Sequence, residues 1–195
     1  LREQGIRHVA MESTGVYWIP IFEILEEMGF MVIVVNARQI KQTPGRKSDV
    51  QDCQWIQRLH SYGLLHASFR PTADMAILRT YVRQRDNLIE ERARQIQYME
   101  KALLQMNVQL GQVVSDLTGK TGLAILRAIV AGEHRPMELV KLCHGRLKHS
   151  QTEVAKALTG HYRREHLFVL QQALQMFDSY TQRIAECDQQ IEQFM

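Results

Sequence analysis

The apolar positions of this chain change spacing as it proceeds, and each spacing predicts an element. Residues 6 to 11, IRHVAM, form a short apolar run suited to a buried strand, with Glu12 at its end. STG then turns the chain. VYWIPIFEILEEMGF, residues 16 to 30, has helical spacing, with Pro20 tolerable near the first turn and Gly29 closing the far end. MVIVV, residues 31 to 35, is continuous and mostly β-branched, the pattern of a strand covered on both faces. Strand, helix and strand in that order predict a parallel pair. Asn36 ends the second strand, a short helix or turn runs through Ile40, and the basic loop PGRK follows. LREQG at the start reads as a helix end capped by Gly5. Together with the lack of an initiator Met, it suggests a fragment whose natural start lies upstream.

From residue 72 onward the pattern is helical almost throughout. Heptads counted from Val82 give Val82, Arg85, Ile89, Arg92, Ile96, Met99, Leu103, Met106 and Leu110, a narrow apolar seam broken by two arginines. A second seam runs Leu167, Leu170, Leu174, Phe177, Thr181, Ile184, Asp188, Ile191 and Met195. Two seams of equal length around a compact segment predict an antiparallel helical hairpin, with residues 111–166 as an inserted helical lobe. If Leu110 packs near Leu167, Arg92 falls close to Asp188, and that polar pair would set the register.

The composition is ordinary for a globular chain, 45% apolar and 23% charged over 195 residues, enough for one large domain or two small ones. Three well-separated cysteines, Cys53, Cys143 and Cys187, argue against a disulfide framework and for a reducing, cytoplasmic compartment. No stretch has the length of about 20 apolar residues that a membrane span needs. The formal charge of +3 is mild, but its distribution is uneven. Between Lys141 and Arg164 lie Lys141, Arg146, Lys148, Lys156, Arg163 and Arg164 against one acid, Glu153, with His144, His149 and His161 among them. Such a patch attracts phosphate, and it equally describes a solvated face.

The stretch GRKSDVQDC, residues 45 to 53, carries the most specific chemistry. On a helix at about 100° per residue, Asp49 and Asp52 fall about 60° apart, on the arc shared by Ile56 and Leu59 and away from Gln51, Gln54, Gln57 and Arg58. One acid at a helix start is explained by capping and the helix dipole, with Ser48 or Asp49 as N-cap. Two carboxylates turned toward the interior call for a cation, or else for a salt bridge to Arg46 or Lys47. Glu12, at the C-terminal end of a parallel strand, is where open α/β sheets place ligands. A strand-end Glu with a helix-borne Asp pair is a layout of hard oxygen ligands for Mg²⁺ or Mn²⁺ in phosphoryl transfer.

Other signals carry less. LTGKTG has Val114 where a phosphate-binding loop needs glycine. Cys143, His144 and His149 lack the partners of a zinc site. Tyr17, Trp18 and Trp55 could stack on bases, or belong to the core. Arg79, Arg83, Arg85, Arg92 and Arg94 could follow a phosphate backbone, but Asp86, Glu90 and Glu91 interleave and offer intrahelical pairs.

MESTGVYW, VVNARQIKQTPGRKSDVQDCQWIQRL, SFRP and LRTYVRQRDNL, in that order, resemble the DEDD transposases of bacterial insertion sequences. SDLTGKTGLAILRAIVAGE and LTGHYRREHLFVLQQAL are similar to that family's middle region. The resemblance implies a partial RuvC-like, ribonuclease H-type domain at 1–70, so α/β with a parallel sheet. A helical coiled-coil hairpin domain at 71–195 follows. It implies that Glu12, Asp49 and Asp52 are three of the family's four metal-binding acids, the first Asp lying upstream and a serine-bearing domain downstream, so that the fragment alone would be inactive. The local pattern reads KSD and DC where the family more often has KTD and DA. The implied activity is metal-dependent phosphoryl transfer on DNA in a bacterial cytoplasm, with a bridge RNA as guide in some members. Arg46, Lys47, Lys141, Arg146, Lys148, Arg163 and Arg164 are then candidates for nucleic-acid contact, and the coiled coil for homo-oligomer formation. The competing reading is a non-catalytic helical scaffold for nucleic-acid binding or dimerisation. A metal-dependent nuclease or resolvase of the same fold is a third.

Overall fold

The structure, a computed structural model, describes residues 1–40, 49–143 and 149–195, with nothing stated of the Arg38 and Gln39 side chains. The chain divides into two compact units, Leu1–Pro71 and Thr72–Met195.

In the first unit a 3₁₀ turn, Arg2–Gln4, ends at Gly5 with φ 74°. Strand β1 (His8–Glu12), helix α1 (Trp18–Glu27) and strand β2 (Met31–Val35) follow, and the strands pair in parallel from His8 opposite Met31 to Glu12 opposite Val35. Helix α1 starts at Trp18, so Pro20 is its third residue, where a backbone N–H has no intrahelical acceptor to lose. Gly29, at φ 77°, adopts the left-handed geometry that closes α1: its N–H donates to the Glu26 carbonyl and that of Phe30 to Leu25. Helices α2 (Ala37–Ile40) and α3 (Asp49–Ser61) complete the unit. A small core joins Val35, Ile40 and Ile56 with Ala10, Ile33, Trp55 and Leu65 around it. Strand β2 is covered at its C-terminal end, where Val34 and Val35 are buried, but Met31 is 60% exposed. The expectation of a strand enclosed along its whole length therefore holds only where α3 and the segment after it reach. There the Ser68 N–H donates to the Val34 carbonyl at 2.7 Å.

The second unit is built on two long helices, α4 (Ala73–Gln105) and α9 (Arg164–Phe194). Between them lie α5 (Leu110–Val113), α6 (Lys120–Val130), α7 (Pro136–Val140) and α8 (Gln151–Ala157). The helices run antiparallel, as the two seams predict, but the register differs from the expected one. Asp188 meets Arg85, while Arg92 lies over the Phe177 ring, 5.9 Å from its centre. The first seam is also shorter than its heptads. Asn107, at φ 57°, breaks α4, and the Val108 N–H turns back to the Leu103 carbonyl. Leu110 thus belongs to α5, and the anchor used to set the register does not lie on α4. The core gathers at this end of the pair, where Met99, Leu103, Met106, Leu170 and Leu174 meet Ile125, Leu126, Ile129, Leu139 and Leu158 of the inserted lobe. No residue of α4 before Leu88 is buried, so the far end is a thin two-helix ribbon. Among the described residues no helix is long and apolar enough to cross a membrane.

Candidate functional site

Alternation along β1 puts His8, Ala10 and Glu12 on one face, and α3 lies across it through Ile56. Between strand and helix is a groove of about 540 Å³ lined by Glu12, Asp49 and Asp52, together with Thr14, His8 and His60. The fold thus brings the three acids singled out in the sequence to one groove, at the C-terminal end of the parallel strands. Glu12 sits at the last pair of the ladder, which the Ser13 N–H extends by one bond to the Val35 carbonyl at 2.9 Å. Its Oε1 accepts from the Thr14 hydroxyl at 2.8 Å, so the turn after the strand orients the carboxylate.

The burial of the aspartates differs from the helical-wheel expectation. Asp52 is half-buried, Asp49 is exposed, and no charged residue among those described is buried. The reason is the size of the core. Ile56 is the buried residue of α3, and Cys53, about one turn earlier on the same side, is exposed. The first turn of α3 therefore projects past the core and into the groove. The exposed Asp49 carboxylate has little desolvation cost to offset, so its burial does not demand a cation. The donor chemistry suits a hard divalent ion, since three carboxylates and a hydroxyl supply oxygen only. Among the described residues no group of three or more His, Cys, Asp or Glu side chains converges closely enough to hold a metal ion.

Sequence reasoning missed Thr14, His8 and His60. The histidines were legible: His8 is four residues before Glu12 on the same strand face, and His60 is three helical turns beyond Asp49. Their rings approach to 6.0 Å at the other end of the groove. Thr14 had no signal of its own in STG.

The basic candidates fare differently. Arg46, Lys47, Arg146 and Lys148 lie outside the described residues. Lys141 gives its ammonium to both oxygens of Glu138 at 2.8 Å, an acid just outside the window in which the charges were counted. Arg163, the N-cap residue of α9, and Arg164 are exposed, without an ion pair among the described residues. Of the arginines on α4, Arg94 pairs with Glu91 and Arg85 with Asp188.

Comparison with known proteins gives one family. The model for DEDD transposases of the IS110 type, described as transposase, matches residues 1–108, which include every residue of the groove. No curated protein and no solved structure matches the chain.

Proposed function

The chain belongs to this transposase family, and from that premise we propose that the groove between β1 and α3 is the metal-binding, DNA-processing site. In this reading β1, α1 and β2 are part of a RuvC-like, ribonuclease H-type domain. The observation that carries the proposal is the shared lining: Glu12 from a strand end and Asp49 and Asp52 from the first turn of a helix, 37 and 40 positions away in sequence, face one groove.

Each residue has a separable task. Glu12, held by Thr14, is the fixed ligand. Asp49 and Asp52, three apart on α3, are neighbours on the helix surface and can converge on one ion by side-chain rotation. Mg²⁺ or Mn²⁺ bound there would supply Lewis-acid polarisation of a scissile phosphate. The exposed Arg163 and Arg164 are a separate set of cations for a phosphate backbone of DNA, and α4 with α9 offers the surface for a homo-oligomer. A guide RNA would use the same kind of backbone contact.

Iron-directed cleavage tests the site. Fe²⁺ with ascorbate and peroxide, in place of Mg²⁺, should cut the polypeptide near residues 12 and 49–52, and excess Mg²⁺ should suppress the cuts. Cuts scattered over the chain, insensitive to Mg²⁺, would refute the metal site and favour the scaffold reading. That reading also requires Asp49→Asn and Asp52→Asn to leave function intact.

A further inference from the structure

Strand β2 has a second face, and a different cavity lies against it. Val32 and Val34, which alternate with the core residues Ile33 and Val35, form the floor of a cleft of about 290 Å³. Trp18, Phe22, Phe69 and Arg70 form its walls, with Ser13 and Asn36, the residues that follow β1 and β2, at its polar edge. Trp18 and Phe22 meet edge to face with centroids 6.1 Å apart. The Arg70 guanidinium covers the Phe22 ring at 3.9 Å and is held there by Glu26 at 2.7 Å. The bond from Ser68 to Val34 fixes the chain just before Phe69. Phe69 itself is 88% exposed, a large aromatic ring left in water beside an aromatic cleft.

The size and lining define the occupant. The volume is at the bottom of the range of small-ligand pockets, which starts at about 300 Å³, so one flat ring system fits and a larger ligand does not. Aromatic walls suit the faces of that ring, and the Ser13 hydroxyl and Asn36 amide suit a polar rim. A nucleobase has that combination of π-face and hydrogen-bonding edge. Ser13 is also the residue after Glu12, so one turn of chain borders both the cleft and, on the opposite face of the sheet, the carboxylate groove.

We propose that the Trp18–Phe22–Phe69–Arg70 cleft takes one unpaired nucleobase of the DNA strand whose phosphate lies at the carboxylate groove. Lifting a base out of the stack there would fix the strand's register against Glu12. The placement of the phosphate rests on the metal-site reading above; the base-binding cleft rests on its own geometry.

The chain has two tryptophans, and Trp55→Phe leaves Trp18 as the fluorescent one. That exchange removes a buried indole N–H with no partner among the described residues, so it should be tolerated. Oligothymidylate titrated into the full chain should quench Trp18, whereas an abasic strand of the same length should not. Phe69→Ala, at an exposed position, should weaken the quenching titration about tenfold with unchanged circular dichroism. Removal of divalent metal with EDTA should leave the Trp18 quenching of the parent in place, so that failure of the metal site and failure of the base cleft are read separately. Equal binding of the abasic strand without quenching would overturn the proposal, as would a Phe69→Ala variant that binds as tightly as its parent. Tighter quenching by oligouridylate RNA than by oligothymidylate would overturn the assignment to DNA.

Discussion

Arg85 donates through Nε to Asp188 Oδ1 at 2.5 Å, joining α4 to α9 across 103 residues of sequence. Both side chains are part-exposed polar residues in mostly apolar seams. A polar residue at a seam position costs packing and specifies register, because a slipped alignment leaves its charge against an apolar neighbour. The bond to Asp188 holds the Arg85 guanidinium above its ordinary value. Arg85→Asp and Asp188→Arg should each lower the thermal midpoint, and the double exchange should restore most of the loss. Arg92→Asp should show no such coupling to Asp188→Arg. A double-mutant cycle followed by circular dichroism measures both couplings.

Two glycines of the inserted lobe are sites of close backbone approach. A Cβ on Gly160 would lie 2.4 Å from the Met106 carbonyl oxygen, and one on Gly122 would lie 2.1 Å from that of Leu117. Gly160→Ala and Gly122→Ala should each cost about 3 kcal/mol or more in urea unfolding of the second unit. Gly111→Ala, where a Cβ meets nothing within 4 Å, is the control and should be neutral or better. Gly122 belongs to LTGKTG, and packing against Leu117 supplies a physical reason for that glycine.

Acid should loosen the lobe. Hydrogen bonds from the Arg135 side chain hold the Glu133 carboxyl down to about 2, and the Thr118 hydroxyl lowers that of Asp116. A carboxyl depressed on folding contributes stability above its ordinary value, near 4.5 for Glu133, and loses it as pH falls through the folded value. The thermal midpoint should therefore drop between about pH 4.5 and 2, and Glu133→Gln should flatten part of that slope. Both groups are near the surface, so high salt should flatten it as well.

Thr14 tests whether orientation of Glu12 matters. Thr14→Val removes the 2.8 Å donor and preserves the shape. Mn²⁺ affinity, followed by electron paramagnetic resonance, should fall about tenfold, the effect expected of a group that positions a ligand. Thr14→Ser should retain most of it.

What the sequence made legible depended on how local the cause was. MVIVV forms β2 over the same five residues because β-branched runs read directly. Gly29 closes α1 because a left-handed residue with no Cβ is a local signal. Glu12, Asp49 and Asp52 share a groove, and strand order and helical spacing were enough to suggest it. The register of α4 on α9 was misplaced because it was anchored on Leu110, and Asn107 ends α4 before that residue. The interior placement of the aspartates failed because a wheel gives direction and not the extent of the core, which here reaches Ile56 and not Cys53. The aromatic cleft joins the i, i+4 pair Trp18 and Phe22 of α1 to Ser13 and Phe69, and no periodicity connects that pair to the other two.

The central claim is that Glu12, Asp49 and Asp52 act together on one cation. The most direct measurement is a crystal structure of the protein with Mn²⁺, located by its anomalous scattering. The account predicts a peak in the groove between β1 and α3, with carboxylate oxygens of all three residues at about 2.1 Å. Manganese elsewhere on the surface, with Glu12 bound only to Thr14 and the aspartates in solvent, would contradict it.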